Sequence, residues 1–341
     1  MRTRVGGRAR QRVTAGAGVA ALVVVVFALN FYRLPVVALT PGPAEDVLTR
    51  IKVRGSTPVY DSKGKLYLTS VGIDDDVRFY EALLDLANRD VELRQRAELF
   101  PKGDSSEEID RENVELMDQS KTVALVVALR ELGYRVEPSA VLVGNVVRGA
   151  PADGKLEAGD RILQVDGHAV ATIDQVRAAI TRHHVGERVA FKVSRDRAAP
   201  TVAVPVAADD GQPRVGVELR ERFDDLPVEV SIETENIGGP SAGLMFALSI
   251  IDRLTPDDLT RGRRIAGTGE ISVDREVLPI GGAAEKLIAA RRQGATAFLI
   301  PSDNCADVRG RVPSGLRLVR VATLDDALRF LRQPDAPADG C

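Results

Sequence analysis

The sequence predicts a mixed α/β chain in three parts: one N-terminal transmembrane helix, a mainly β module in the middle, and an α/β (α+β) module at the C-terminal end. Three observations carry this. A charge-free run from Val13 to Tyr32 follows a basic leader; short alternating strands surround one brief helix between about residues 141 and 206; and apolar strands and helices alternate after Val215. At 341 residues and 44% hydrophobic content, the chain has material for more than one buried core. A net charge of −3, no tryptophan and no basic stripe argue against a nucleic-acid partner.

Taken in order, Arg2, Arg4, Arg8, Arg10 and Arg12 make residues 1–12 a basic tail, and residues 13–34 are long and apolar enough to cross a bilayer. The positive-inside rule keeps the tail cytoplasmic and puts everything after Arg33 outside. A cleaved signal peptide is the rival reading, with Val36-Val37-Ala38 as the cleavage site, but the apolar run exceeds a usual signal core. Residues 35–135 read as a hairpin, Val59 to Val71, turning at Asp61-Ser62-Lys63-Gly64. A helix follows from about Asp76 to Leu99, then a second from Glu115 to Leu132, stopped by Gly133. Pro41-Gly42-Pro43 breaks any helix before them.

Residues 136–210 switch to strands at 141–143, 161–165 and 189–193, with a helix over Ile173 to Ile180 and a last strand within Ala198 to Pro213. Gly149-Ala150-Pro151-Ala152-Asp153-Gly154, then Leu156 through Gly167 (LEAGDRILQVDG), resemble a PDZ domain. That resemblance implies capture of an extended peptide on a sheet edge. No Gly-Leu-Gly-Phe-like carboxylate loop precedes Val141, which leaves internal strand capture open. His183 and His184 read as solvated helix-end residues. The three histidines have no metal-ligand spacing, so no metal or cofactor is expected. Cys305 and Cys341 read more readily as two separate thiols, although an outward-facing compartment would permit a bridge.

Residues 213–333 form the last module, before a tail at 334–341. Lys286 is the only lysine in the last 149 residues, against eighteen arginines. Lysine can lose its proton and arginine cannot, so this position suits a base. Forty-five residues earlier, Gly238-Gly239-Pro240-Ser241-Ala242-Gly243 is a small-residue turn placing Ser241 at the first turn of an apolar helix, where free N–H groups suit an oxyanion. Serine with a neutral lysine is a known nucleophile and base pair.

These residues belong to a longer pattern. Gly267-Thr268-Gly269-Glu270, Val277-Leu278-Pro279-Ile280-Gly281-Gly282, Glu285-Lys286, Ala289-Ala290, Gly294, Ile300-Pro301 and Asn304 follow the serine turn in the order and spacing of Lon proteolytic domains, which this module resembles. The resemblance implies Ser241 as nucleophile, Lys286 as general base and Thr268 as the hydroxyl on the lysine, with Gly239, Pro240, Ala242 and Glu285 in support. It also implies peptide or protein substrates and a homo-oligomer, a hexamer in that family. Gly238 departs from it, standing where Lon proteases usually carry an acidic residue. Gly64-Lys65-Leu66-Tyr67-Leu68-Thr69 and Met117-Asp118-Gln119-Ser120 distantly resemble the first strands and helix of the same fold, which would make the PDZ-like module an insertion. No GxxxxGK[ST] loop occurs in the chain, so no ATP partner is expected. The expected function is a membrane-anchored, ATP-independent serine endopeptidase acting outside the cytoplasm on extended segments. The alternative is an inactive membrane-tethered PDZ adaptor or chaperone.

Overall fold

The computed structural model describes residues 33–88, 90–100, 106–209, 211–234, 237–333 and 340–341. It divides into two compact units, one built from the chain up to Ala128 together with Val230–Cys341, the other from Leu129–Glu229. The run Val13–Tyr32 lies outside the described residues, and no helix among those described is long and apolar enough to cross a membrane.

The first unit opens with β1 (Val36–Asp46), which runs through the alternative cleavage site and buries Val37 and Ala38. Pro41-Gly42-Pro43 lies inside this strand, at a register shift between Pro41 and Ala44. Prolines without an N–H are tolerated where a ladder skips. After β2 (Ile51–Arg54), the expected hairpin does not form, because only its second arm is a strand, β3 (Lys65–Asp74). Ser62 Oγ and Lys63 N–H instead donate to the carboxylate of Asp258, tying the turn to another loop. The helix expected over residues 76–99 is split into α1 (Phe79–Ala87), β4 (Glu92–Gln95) and a single turn α2 (Arg96–Leu99), since Glu92 to Gln95 find a strand partner in β1. The next helix, α3 (Ser106–Glu131), starts earlier than expected and stops before Gly133 at φ +85°.

The second unit contains β5 (Ala140–Val146), β6 (Arg161–Val165), β7 (His168–Ala169), α4 (Ile173–Ile180), β8 (Arg188–Ser194), β9 (Thr201–Pro205), β10 (Ala207–Asp209), β11 (Gln212–Arg214) and β12 (Val217–Arg222). The strand expected within 198–213 is thus three short ones. Thr172 caps α4 by accepting from the Gln175 N–H, which fixes where the helix starts. The sheet runs β12-β5-β6-β8-β9, with Val141, Val143, Ile162, Val176, Phe191 and Val193 in its core. Strand β12, past residue 210, is one edge of that sheet. His183 is no solvated end: its ring bonds Asp166 at 2.7 Å, a contact that raises its pKa above the ordinary value.

The chain returns to the first unit through β13 (Glu229–Ile232), α5 (Gly243–Leu254), β14 (Arg264–Gly267), β15 (Glu270–Ile271), β16 (Val277–Leu278), α6 (Ala283–Arg292), β17 (Ala297–Pro301), β18 (Arg317–Val321) and α7 (Leu324–Arg332). The main sheet is ordered β18-β17-β14-β3-β1-β4, so strands from both ends of the chain share one ladder. Leu287 and Ala290 of α6 pack with Phe298, Ile300 and Tyr67 of the sheet. Cys305 and Cys341 are joined in a disulfide, correcting the reading of two separate thiols. Nine residues beyond Arg332 can span about 30 Å, which gives the tail the reach to return.

Candidate active site

Helix α5 is buried on every side from Gly243 to Asp252, with only Ser249 and Asp252 polar among those residues. Such a helix is an anchor, and the turn before it is correspondingly fixed. Ser241 does not lie in its first turn, as the sequence suggested, but two residues before Gly243, with Ala242 as the N-cap. Gly239 adopts φ +82°, a conformation that favours glycine, and its N–H donates to the Asn113 carbonyl of α3 at 2.9 Å. From the same helix, the Ser120 hydroxyl donates to the Pro240 carbonyl at 2.9 Å. The serine turn is therefore braced from a helix 120 residues away in sequence.

Lys286 approaches from α6, whose N-cap Gly282 takes the left-handed conformation. The lysine side chain is buried, its Nζ 2.9 Å from Ser241 Oγ and 3.1 Å from Thr268 Oγ1. The Thr268 hydroxyl in turn lies 3.1 Å from the Ser241 carbonyl oxygen, so it holds both partners. Burial lowers the Lys286 pKa from 10.5 to about 7, because the charged amine loses its hydration with no carboxylate to offset the loss. Among the described residues no cluster of His, Cys, Asp or Glu could hold a metal.

Amide positions around the serine are largely occupied. Gly243 N–H donates to Pro240 O, Leu244 N–H to Gly269 O, and Gly269 N–H returns to Ser241 O. Pro240 has no N–H. The first amides of α5 are thus committed, and the Ser241 and Ala242 N–H groups are the two next to the hydroxyl that no such bond engages among the described residues.

Ser241, Ala242 and Lys286 open onto a cleft of about 610 Å³, walled by Thr69 to Ile73 of β3, by Leu39 and Leu99, and by Ile237, Gly238, Gly281 and Gly282. Glu285 is not drawn into it. One residue along α6 turns a side chain by about 100°, and its buried carboxylate meets Arg311 at 3.3 Å instead. Burial raises the Glu285 pKa above the ordinary carboxylate value. The departure at Gly238 has a steric account: a Cβ there would lie 2.8 Å from the Asn113 Cβ, so α3 leaves no room for a side chain. Sequence reasoning missed Asn113 and gave no role to Asn304, which it had only placed in the longer pattern; Asn304 holds the Ile280 N–H and carbonyl at 2.9 and 2.8 Å and so fixes the loop before α6. Ser120 lay within a quoted motif without a role. A hydrogen bond made through the backbone leaves no signature in sequence.

Comparison with known proteins fits this geometry. Residues 220–332 match the Lon protease (S16) C-terminal proteolytic domain, and residues 112–206 match the PDZ domain. The chain is 41% identical over 108 residues to a Lon protease of Azospirillum brasilense, covering 31% of this chain and 13% of that protein. It is 37% identical over 134 residues to a Lon protease of Campylobacter concisus, covering 38% and 16%. It therefore spans only a small part of the relatives it matches. The PDZ domain of an SdrC-like protein from Listeria monocytogenes aligns at 26% identity and a TM-score of 0.24, over 25% of this chain and 93% of that one. The C-terminal module is a serine-type peptidase domain similar to that of Lon proteases, and the middle of the chain is similar to a PDZ domain.

Proposed function

We propose that the chain is a membrane-anchored serine endopeptidase that works without nucleotide, with Ser241 as nucleophile and Lys286 as general base. The observation that carries this is the buried lysine amine 2.9 Å from the serine hydroxyl, with a pKa brought down to about 7. The neutral amine takes the Ser241 proton as Oγ attacks a peptide carbonyl; the Ser241 and Ala242 N–H groups receive the oxyanion; the protonated amine gives its proton to the leaving nitrogen. Water, deprotonated by the same amine, then releases the acyl group. Thr268 keeps Nζ aimed at Oγ through both steps.

Substrate enters extended. β14 pairs with β3 only from Lys65 to Leu68, so Ser70 to Ile73, beside Ser241, keep one ladder side without a β14 partner, and a peptide can add there as a strand. In the second unit, β12 is an edge strand, and Val217 to Leu219 line a cleft of about 490 Å³ with Arg177 and Ile180 of α4. We assign this edge to capture of the substrate's extended segment. The approach to β12 is Val215-Gly216, with Gly216 at φ +77°, so the loop sought ahead of β5 has a counterpart at the other end of the unit.

The run Val13–Tyr32 supplies the anchor, and the Cys305–Cys341 disulfide suits an oxidising, extracytoplasmic compartment. The test is cleavage of a labelled, unfolded casein by the full chain in detergent, without nucleotide, against Ser241→Ala. New peptide ends appear with the wild type and none with the variant. Equal patterns from both would reject the peptidase reading in favour of a PDZ adaptor.

A further inference from the structure

Helix α1 is an unusual surface element. Leu83, Leu84 and Leu86 are 54%, 66% and 75% exposed, and Tyr80 is 42% exposed. At 100° per residue these four side chains cover one face of about 160°. The opposite face carries Ala82, buried with Ala38 and Val77. Three leucines on nine residues is a large apolar display for a helix facing water.

The place of α1 in the chain points to what covers that face. The charge-free run Val13–Tyr32 ends where the described chain begins, at Arg33. Arg33 forms an antiparallel bridge with Arg78, the N-cap of α1, and its guanidinium pairs with Asp76 at 2.8 Å. The Leu34 N–H donates to the Val77 carbonyl at 3.1 Å. The start of α1 is thus locked to the residue at which the apolar run ends. A nine-residue helix is only about 13 Å long, so every exposed leucine lies within about 20 Å of that point.

We propose that the Tyr80-Leu83-Leu84-Leu86 face rests in the interfacial layer of the lipid bilayer that holds the N-terminal run, so that α1 is a second, peripheral membrane contact. This rests on the anchor reading above. Glu81 and Asp85 on the helix, and Asp74 to Asp76 before it, are acidic, so the attraction is apolar and independent of anionic lipid. Its consequence is positional. Ile73 and Leu99, which line the cleft, stand in the segments leading into and out of the α1–β4 excursion, and Arg96 ties those segments by donating to Asp75 at 2.7 Å. Substrate segments close to the membrane surface would be the ones within reach.

The chain has no tryptophan, so a single one introduced is a clean reporter. Full-length Leu86→Trp is reconstituted into phosphatidylcholine vesicles with and without acyl-chain bromination. Leu84→Trp is the second probe and Tyr60→Trp the control. Tyr60 bonds Arg253 near the start of β3, and α1 follows its far end, about 30 Å along the strand. Bromolipid is expected to quench the indole emission of the Leu86→Trp and Leu84→Trp chains by at least half and to leave that of Tyr60→Trp unchanged, equally with and without phosphatidylglycerol. Absence of quenching at both α1 positions, in protein that resists alkaline carbonate extraction, overturns the proposal and leaves the anchor standing. Release by carbonate overturns the anchor and this inference with it. A blue-shifted emission from Leu86→Trp that reverts on dilution in detergent, without bromolipid quenching, overturns it in favour of a second copy covering the face.

Discussion

Lys286 sets the pH behaviour of the proposed reaction. With its pKa lowered to about 7, the amine is mostly neutral above that value, and activity should rise through a single ionisation near pH 7 and level off above it. A kcat/KM profile on a peptide substrate checks this, and a flat profile between about pH 6 and 8 would remove lysine as the base. Lys286→Arg should leave less than about a thousandth of the activity, since the guanidinium stays protonated. Stability moves in the same direction. A lysine whose folded pKa lies below its unfolded one penalises folding most below pH 7, and the penalty fades as pH rises towards 10.5. At about 1.4 kcal/mol per tenfold in proton affinity, the penalty is on the order of 5 kcal/mol at acid pH. Lys286→Met should therefore unfold at higher temperature than the wild type at about pH 6, and by a much smaller margin at about pH 10. Thr268→Val removes the hydroxyl that aims Nζ, and kcat is expected to fall roughly tenfold or more with KM little changed.

Among the elements, α3 does for the serine turn what Thr268 does for the lysine. Its Asn113 carbonyl and Ser120 hydroxyl hold Gly239 and Pro240, and its packing against Gly238 excludes a side chain there. Gly238→Asp, which introduces the acidic residue usual in Lon proteases, should force the turn off α3 and lower kcat, not restore a lost contact. Restored or raised activity would show that α3 yields. Gly239→Ala places an alanine at φ +82°, costing about 1–2 kcal/mol and displacing the hydroxyl. Legibility at this scale followed local chemistry. The helix over Ile173–Ile180 was readable to the residue because apolar spacing and the Thr172 cap agree. In α6 the same two signals agree, with glycine at the N-cap and apolar spacing along the helix. By contrast β1, β4 and the first half of α3 take their form from partners far along the chain. Pro41-Gly42-Pro43 reads as a breaker until β3 supplies a ladder that can skip it, and residues 92–95 read as helix until β1 supplies a strand.

At the level of the whole molecule, the site was more legible than the fold that holds it. Ser241, Thr268 and Lys286 lie within 46 residues and carry distinctive side chains, whereas the sheet beneath them joins β3 to β14 across about two hundred residues of sequence, which include the whole second unit. Nothing in either strand names its neighbour. The disulfide belongs to this class of long-range feature, and it carries the last prediction. It closes a loop of 36 residues from Cys305 to the C-terminal residue, around β18 and α7. In the chain-entropy picture such a closure is worth about 4 kcal/mol. For a unit of this size that corresponds to roughly ten degrees in Tm. Cys305 also follows Asn304, the residue that fixes Ile280 ahead of the Lys286 helix. Cys341→Ser should therefore lower the Tm by about that amount, and reduction of the wild type should do the same, while neither changes the rate at about 25 °C by more than about twofold. Dependence on the bridge should appear as earlier loss of activity on heating. A Cys341→Ser chain that unfolds at the wild-type temperature would mean that the C-terminal strand and helix are held by their apolar packing alone.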